Sequence, residues 1–382
     1  MSRPSPKKRA PHRLLHLAQC TRGLEGVLAE EVKGLGGREV RPVAGGVLFD
    51  ADTALACRLT FWLRSAVRVL APVISGRVGD FDQLYEVASK ARWEDLVGPR
   101  RTFAVHASVT DGPFTDRHFA ALRVKDAIVD RIRQRRGSRP SVDRQDPDVP
   151  LRLVVRGDRA HVFRDLAGES LHRRGYRPVQ VRSPVAEAVA AALLLLSDWD
   201  RQSPLLDPMC GSGTFVIEAT AMAADRAPGF ARTFAAERFP DADARIWQAL
   251  REEAADRLKP SLPFRLLGVD RHEGGVGIAR TSINAAGLSH LAQFVSGDAA
   301  TFEPPFAPSV VVTNPPWGER LGEGEDLVAS WRALGTLLRR CSGACAFVLS
   351  GAPELTRHLG LRSSQRWPLR IGQHDVRWLR YE

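Results

Sequence analysis

The sequence predicts an α/β protein: an open, largely parallel sheet in the C-terminal half, preceded by a smaller α+β module. Two observations carry this. Short apolar runs at 204–206, 264–269, 294–295 and 310–313 alternate with helix-like segments, and each ends at or near an acid or amide: Asp207, Asp270, Asp298 and Asn314. Buried strands alternating with helices are the mark of parallel sheets, which place ligands at the carboxyl ends of their strands. The second observation is charge. The 382 residues carry a net +11, yet the part up to Arg182 holds 34 Lys plus Arg against 21 Asp plus Glu, and the rest 21 against 23. The basic excess therefore lies outside the C-terminal half, as expected of a separate module that grips a polyanion. Genomic base content would explain why Arg outnumbers Lys, but not this asymmetry.

Taken in order, residues 1–12 are basic and proline-bearing, without the apolar core of a signal peptide, and are expected to form a disordered arm. Residues 13–72 form a first unit: an apolar stretch at 14–17, a helix near 24–35, a strand at 46–49, and a helix running into a strand across 61–74. Residues 73–168 form a second, opened by Trp93-Glu94-Asp95-Leu96 and a strand at 103–107. Within it, 117–136 reads as an amphipathic helix with Phe119, Leu122, Val129 and Ile132 as its apolar stripe. Its other faces carry Arg123, Lys125, Arg131, Arg133, Arg135 and Arg136. Such a run is ordinarily a solvated face, but the basic module around it favours phosphate contact. Residues 151–155 and 160–163 read as a hairpin around Gly157-Asp158. A connector at 169–184 is expected to line the path to the site with Arg173, Arg174 and Arg177, and 185–382 form the C-terminal domain.

Two motifs carry the chemistry. Asp207-Pro208-Met209-Cys210-Gly211-Ser212-Gly213-Thr214 follows a short strand and opens a helix at 214–224. Gly211 and Gly213 allow a tight turn and a close backbone approach to a ligand. Asp207 is placed to attract an ammonium group, Asp270 to accept two ribose hydroxyls, and Asp298 to accept an adenine amino group. Each acid has an alternative reading as a helix cap, Asp298 above all. A third glycine is missing for a dinucleotide fingerprint, and no Lys follows for a phosphate-binding loop. The set suits S-adenosylmethionine.

The second motif, Asn314-Pro315-Pro316-Trp317, follows the strand 310–313. An exocyclic amine of guanine or adenine is a poor nucleophile, because its lone pair is delocalised into the ring. The Asn314 side-chain oxygen and the Pro315 carbonyl can each accept one N–H, holding the nitrogen where its lone pair faces a methyl donor. Pro315 and Pro316 stiffen the loop, and Trp317 offers a face for a base, worth ~1–3 kcal/mol. Positioning of this kind supplies ~7–11 kcal/mol in favourable cases.

With these motifs on the page, the chain resembles the THUMP-containing bacterial methyltransferases that modify guanine N2 in large-subunit ribosomal RNA. The resemblance is carried by Cys20-Thr21-Arg22-Gly23-Leu24-Glu25, by 122–130, by Arg139-Pro140-Ser141-Val142-Asp143-Arg144, by 165–177, and by the cofactor and catalytic loops 207–214 and 314–321. It implies a Rossmann-like class I methyltransferase domain preceded by an α+β ferredoxin-like and THUMP RNA-binding module. It implies S-adenosylmethionine as donor and structured RNA as substrate, 23S rRNA first and tRNA second, with Arg139 and Arg144 among the RNA contacts. Two departures stand out. The family usually has Tyr where this chain has Trp317, and a second acid with a proline where it has Arg271-His272. Some members continue into a second methyltransferase, whereas this chain is expected to hold one catalytic domain. An adenine-N6 DNA methyltransferase and a non-catalytic assembly factor remain as alternatives.

Other classes are disfavoured. The five cysteines (Cys20, Cys57, Cys210, Cys341, Cys345) form no C-x-x-C pair, and no His stands in an H-x-E pattern, so a metal site is not expected. The longest apolar run, 188–196, is too short for a bilayer span, and a reducing cytoplasm is the expected location.

Overall fold

The computed structural model describes residues 14–98, 100–177, 185–318 and 326–382. The arm at 1–12, the second part of the connector (178–184) and the end of the 314–321 motif lie outside the described residues. The N-terminal half comprises β1 (His16–Gln19), α1 (Glu25–Gly34), β2 (Arg38–Val43), β3 (Gly46–Asp50), α2 (Thr53–Trp62) and β4 (Arg68–Arg77). It continues with α3 (Phe81–Ser89), α4 (Trp93–Leu96), β5 (Thr102–Thr110), α5 (Arg117–Arg136), β6 (Ser141–Val142), β7 (Val149–Arg156) and β8 (Arg159–Asp165). The hairpin around Gly157-Asp158 is present, with Arg156 opposite Arg159.

All eight strands form one sheet in the order β2-β3-β1-β4-β8-β7-β5-β6. The boundary expected between 72 and 73 falls inside β4, whose Leu70 pairs with Leu17 of β1 on one edge and Asp165 of β8 on the other. A strand of 10 residues is long enough to serve both units. The apolar stripe of α5 matches expectation in part: Val129 and Ile132 are buried and Leu122 is half-buried. Phe119 is 44% exposed, while Ala120, Val124, Ala127, Ile128 and Ile132 are buried. Small alanines let the helix approach its neighbours closely, and Phe119 rests edge-on against Phe81, 4.7 Å between centroids.

The C-terminal half adds α6 (Glu187–Leu196), β9 (Leu205–Asp207), α7 (Thr214–Ala223), α8 (Ala244–Arg257), β10 (Leu266–Asp270), α9 (Glu273–Ala285) and β11 (Gln293–Ser296). After these come β12 (Val310–Thr313), α10 (Leu327–Arg340), β13 (Cys345–Ser350), α11 (Pro353–Thr356), β14 (Gln365–Ile371) and β15 (His374–Tyr381). The seven strands are ordered β11-β10-β9-β12-β13-β15-β14. The first five are mutually parallel, and β15 is antiparallel to both neighbours. The all-apolar Val310–Val312 is buried, as a strand covered on both faces requires.

The halves are packed into one another. Leu24 of the first unit is fully buried in the core of the C-terminal domain. In return, the segment between α7 and α8 reaches back: Phe234 packs on Phe61, and the Gly229 N–H donates to the Phe61 carbonyl at 3.0 Å. A buried polar seam completes the joint. Arg64 donates to the Arg226 carbonyl at 3.0 Å, and burial brings its pKa down to about 10. Arg174 donates to the carbonyls of Leu171 (2.6 Å) and Arg64, and its Nε lies 3.7 Å from Glu218, which also accepts the Tyr176 hydroxyl at 3.0 Å. Arg174 is only 6% exposed, so it braces the joint and does not line a path for RNA. Arg174→Met should cost about 3–5 kcal/mol, because the Glu218 carboxylate is left buried without its cation. Glu218→Gln in that background should recover part of the loss, as read from urea unfolding of the single and double variants.

Candidate active site

The strand order reverses between β9 and β12, where open α/β sheets bind ligands. These two strands pair in parallel through Leu205–Val310 and Leu206–Val311. Asp207, at the end of β9, and Asn314, just past the end of β12, therefore stand at neighbouring strand ends.

Asp207 is 2% exposed and accepts the Met209 N–H at 3.2 Å. Burial pushes its pKa from 3.8 up to about 8, against the opposing help of Thr313 and that N–H. Asp270 accepts the Gly211 N–H at 2.8 Å and the His272 N–H at 2.9 Å, so its carboxylate ties the glycine loop to β10. Gly213 has φ +79°, and a Cβ there would stand 2.7 Å from the Phe294 ring; only glycine fits. Pro208 and Cys210 are buried, and Gly211 and Ser212 are half-buried. Burial raises the Cys210 thiol well above its ordinary value, which marks a packing residue. Asp298 is exposed, and its Oδ1 accepts the Ala300 N–H at 2.8 Å, a local turn. Thr214 opens α7 and accepts a hydrogen bond from Arg177 at 2.5 Å.

The arginines expected to contact RNA divide into two groups. Arg177 donates to Thr214 and the Val185 carbonyl and lies 3.2 Å from Glu187, so like Arg174 it is spent inside the fold. Arg131 is paired with Glu94 through two 3.1 Å bonds. Arg123 pairs with Asp82 and lies over the Tyr85 ring, and Lys125 pairs with Asp126. Arg173 is exposed and pairs with Glu169. Arg139 and Arg144 are exposed.

The loop after β12 is held from three sides. Asn314 Oδ1 accepts the Trp317 indole N–H at 3.1 Å, leaving one of its lone pairs uncommitted. Trp317 lies on Gly351 with its edge toward His374, 5.9 Å between centroids. The Pro316 carbonyl accepts the indole N–H of Trp331, a fully buried residue of α10, at 2.8 Å. Sequence reasoning found Asn314 and Trp317 but missed Trp331, Gly351 and His374, whose roles depend on chain segments far apart. A Cβ at 351 would stand 2.4 Å from the Trp317 ring. Gly351→Ala should therefore cost about 1–3 kcal/mol in urea unfolding and should alter the Trp317 fluorescence, compared against a Trp317→Phe background.

Comparison with known proteins fits this architecture. Residues 174–380 match the RMKL-like methyltransferase domain, 78–165 the THUMP domain, and 16–70 the RlmL ferredoxin-like domain. The ribosomal RNA large subunit methyltransferase K/L of Syntrophotalea carbinolica is 39% identical over 96% of this chain and 53% of its own length. This chain thus spans about half the length of the K/L relatives it matches. A Synechocystis protein named as an RNA methyltransferase, slr0064, is 35% identical over 96% of both chains. The crystal structure of SMU.472, a methyltransferase complexed with SAH, superposes with a TM-score of 0.88 at 27% identity, covering 96% of this chain and 97% of its own. With a methyltransferase sheet, a THUMP domain and a ferredoxin-like domain in one chain, the protein belongs to the RMKL-like methyltransferase family.

Proposed function

We propose that the protein transfers a methyl group from S-adenosylmethionine to the exocyclic N2 amine of a guanosine in RNA, with large-subunit rRNA as the substrate. The observation that carries this reading is the adjacency of two strand ends: an acid in the β9 loop beside an amide-bearing Pro-Pro loop after β12. S-adenosylmethionine would supply an electrophilic methyl on a sulfonium. The loop from Asp207 to Thr214 and the acids Asp270 and Asp298 are the residues that would hold it. Support for the fit comes from Asp207, a buried carboxyl whose ionisation awaits a cation, and from the glycine turn that no side chain could fill.

On this reading a guanosine leaves its stack, at a cost of a few kcal/mol, and its face lies against Trp317. Asn314 Oδ1 and the Pro315 carbonyl accept the two N–H groups of N2 and turn its lone pair toward the methyl. The product ammonium is acidic and loses its proton without a strong base. Trp317 does more than stack. Its indole N–H fixes the amide rotamer of Asn314, replacing an orienting hydroxyl of the Tyr more usual at this position. K/L proteins are named for large-subunit rRNA, and the THUMP match and basic N-terminal half favour RNA over DNA.

The direct test is incubation with tritiated S-adenosylmethionine and, separately, unmodified rRNA, total tRNA and plasmid DNA. N2-methylguanosine from rRNA is expected; label only in tRNA moves the substrate, and N6-methyladenine in DNA overturns the reading. Asn314→Ala should abolish turnover and spare cofactor binding. Trp317→Phe, which keeps a ring but loses the indole donor, should lower kcat by up to about tenfold, the worth of one neutral hydrogen bond.

Proton linkage gives a second check. With its pKa near 8 rather than 3.8, folded Asp207 keeps a proton that the unfolded chain gives up between those values. Its contribution to stability is therefore present at low pH and falls as pH rises toward 8. Pairing with the methionine ammonium must expel that proton. Calorimetry at pH 7 in phosphate and in Tris should report net proton release on cofactor binding, and Asp207→Asn should show none. Identical heats in the two buffers would refute the ion pair.

A further inference from the structure

The motif Cys20-Thr21-Arg22-Gly23-Leu24-Glu25 has no part in the chemistry above, yet its position is unusual. The chain leaves the N-terminal sheet at Gln19, and its next residues cap the free edge of the C-terminal sheet. The Arg370 N–H of β14 donates to the Arg22 carbonyl at 3.2 Å, and Arg22 and Arg370 form an isolated antiparallel bridge. The loop is locked in place. Gly23 has φ +94°, and a Cβ there would meet the Pro368 carbonyl at 2.7 Å. Glu25 accepts the N–H groups of Gly23 and Gly45, at 2.8 and 2.7 Å, and Leu24 is sunk in the core.

Residues directly opposite in an antiparallel bridge present their side chains on the same face, about 4.5–5.5 Å apart at Cβ. Here both are arginines and both are exposed. Like charges so placed are destabilising, and among the described residues Arg22 makes no ion pair. The nearest relief for Arg370 is Asp375, opposite it on β15 at 3.9 Å, an exposed contact of little worth. By the two-residue period of a strand, Arg366 and Arg377 stand on this same face. A patch of four arginines and one aspartate thus sits on a rigid two-domain joint. The same hairpin reaches the catalytic loop on its other face: Ile371, next to Arg370, pairs with His374, whose ring meets Trp317.

We propose that Arg22 and Arg370 form a phosphate clamp that grips the RNA backbone at the edge of the catalytic sheet, with Arg366 and Arg377 extending the track. This rests on the reading of the protein as an RNA methyltransferase and identifies a contact surface for that substrate. The unfavourable arginine pair is tolerated because a phosphate between the two guanidinium groups turns repulsion into a two-sided attraction. The clamp also explains why a loop of the N-terminal module is built into the edge of the catalytic sheet: it places a cation of one domain at the rim of the other.

The test compares the parent protein with Arg22→Ala, Arg370→Ala and Arg370→Glu. RNA binding is measured by fluorescence anisotropy over a salt series on an unmodified rRNA fragment, with cofactor affinity as the control for an intact domain. Each alanine should weaken RNA binding roughly three- to tenfold and reduce the slope of log K against log salt by about 0.7–0.9. Arg370→Glu reverses the charge at the clamp, so RNA binding should weaken further than in the alanine variants. Unchanged affinity and slope in the alanine variants would overturn the clamp, whatever their stability. The parent's methyl incorporation separates the two ideas. Label in RNA with unaffected variants removes the clamp alone. No label, with variants that still bind RNA more weakly, removes the chemistry and keeps the surface.

Discussion

The pairing of β9 with β12 is the constraint on which the site depends. Neither strand is more than four residues long, and neither carries chemistry in its interior. Their parallel register nevertheless decides that the chain's two loops of interest, about a hundred residues apart in sequence, emerge side by side. Everything that distinguishes the loops then acts locally. Asp270 ties down the glycine turn on one side, and Trp331 and Gly351 fix the Pro-Pro loop on the other. Both are held by hydrogen bonds and close packing from separate elements, as preorganised sites require.

The parts visible in the sequence were those written in local code. Strands buried on both faces appear as apolar runs, and their ends as an acid or amide followed by glycine or proline, so β9, β10, β12 and the ends they present were legible. The hairpin of β14 and β15 was not, because Trp367, Pro368 and Arg370 in one strand and four charged or histidine side chains in the other blur any simple alternation. The fates of the arginines were illegible for another reason. Arg139 and Arg174 look alike in sequence, yet one is exposed and the other buried against the nearby Leu171 carbonyl and the distant Arg64 carbonyl. Only tertiary structure distinguishes a guanidinium used as a brace from one offered to solvent.

The same contrast applies to the N-terminal module. Its net positive charge pointed correctly to a basic half, but several of the cations on α5 are matched to nearby carboxylates, Arg131 to Glu94 and Arg123 to Asp82. Surface charge that is already paired contributes little to a distant partner, since the local field is largely cancelled. Exposed arginines remain in two places: Arg139 and Arg144 within the N-terminal module, and Arg22 and Arg370 where that module meets the edge of the catalytic sheet. Position, rather than total charge, sets where a polyanion gains most.

The sharing of β4 has a consequence for how this protein can be divided. A strand paired on both edges belongs to neither neighbour, so the ferredoxin-like and THUMP segments are not separable beads on a string. A cut between 72 and 73 would split β4 and leave each fragment with half a strand and raw edges, the kind of surface that recruits other chains into aggregates. Laboratory dissection of this chain would therefore keep residues 16–165 together as one piece.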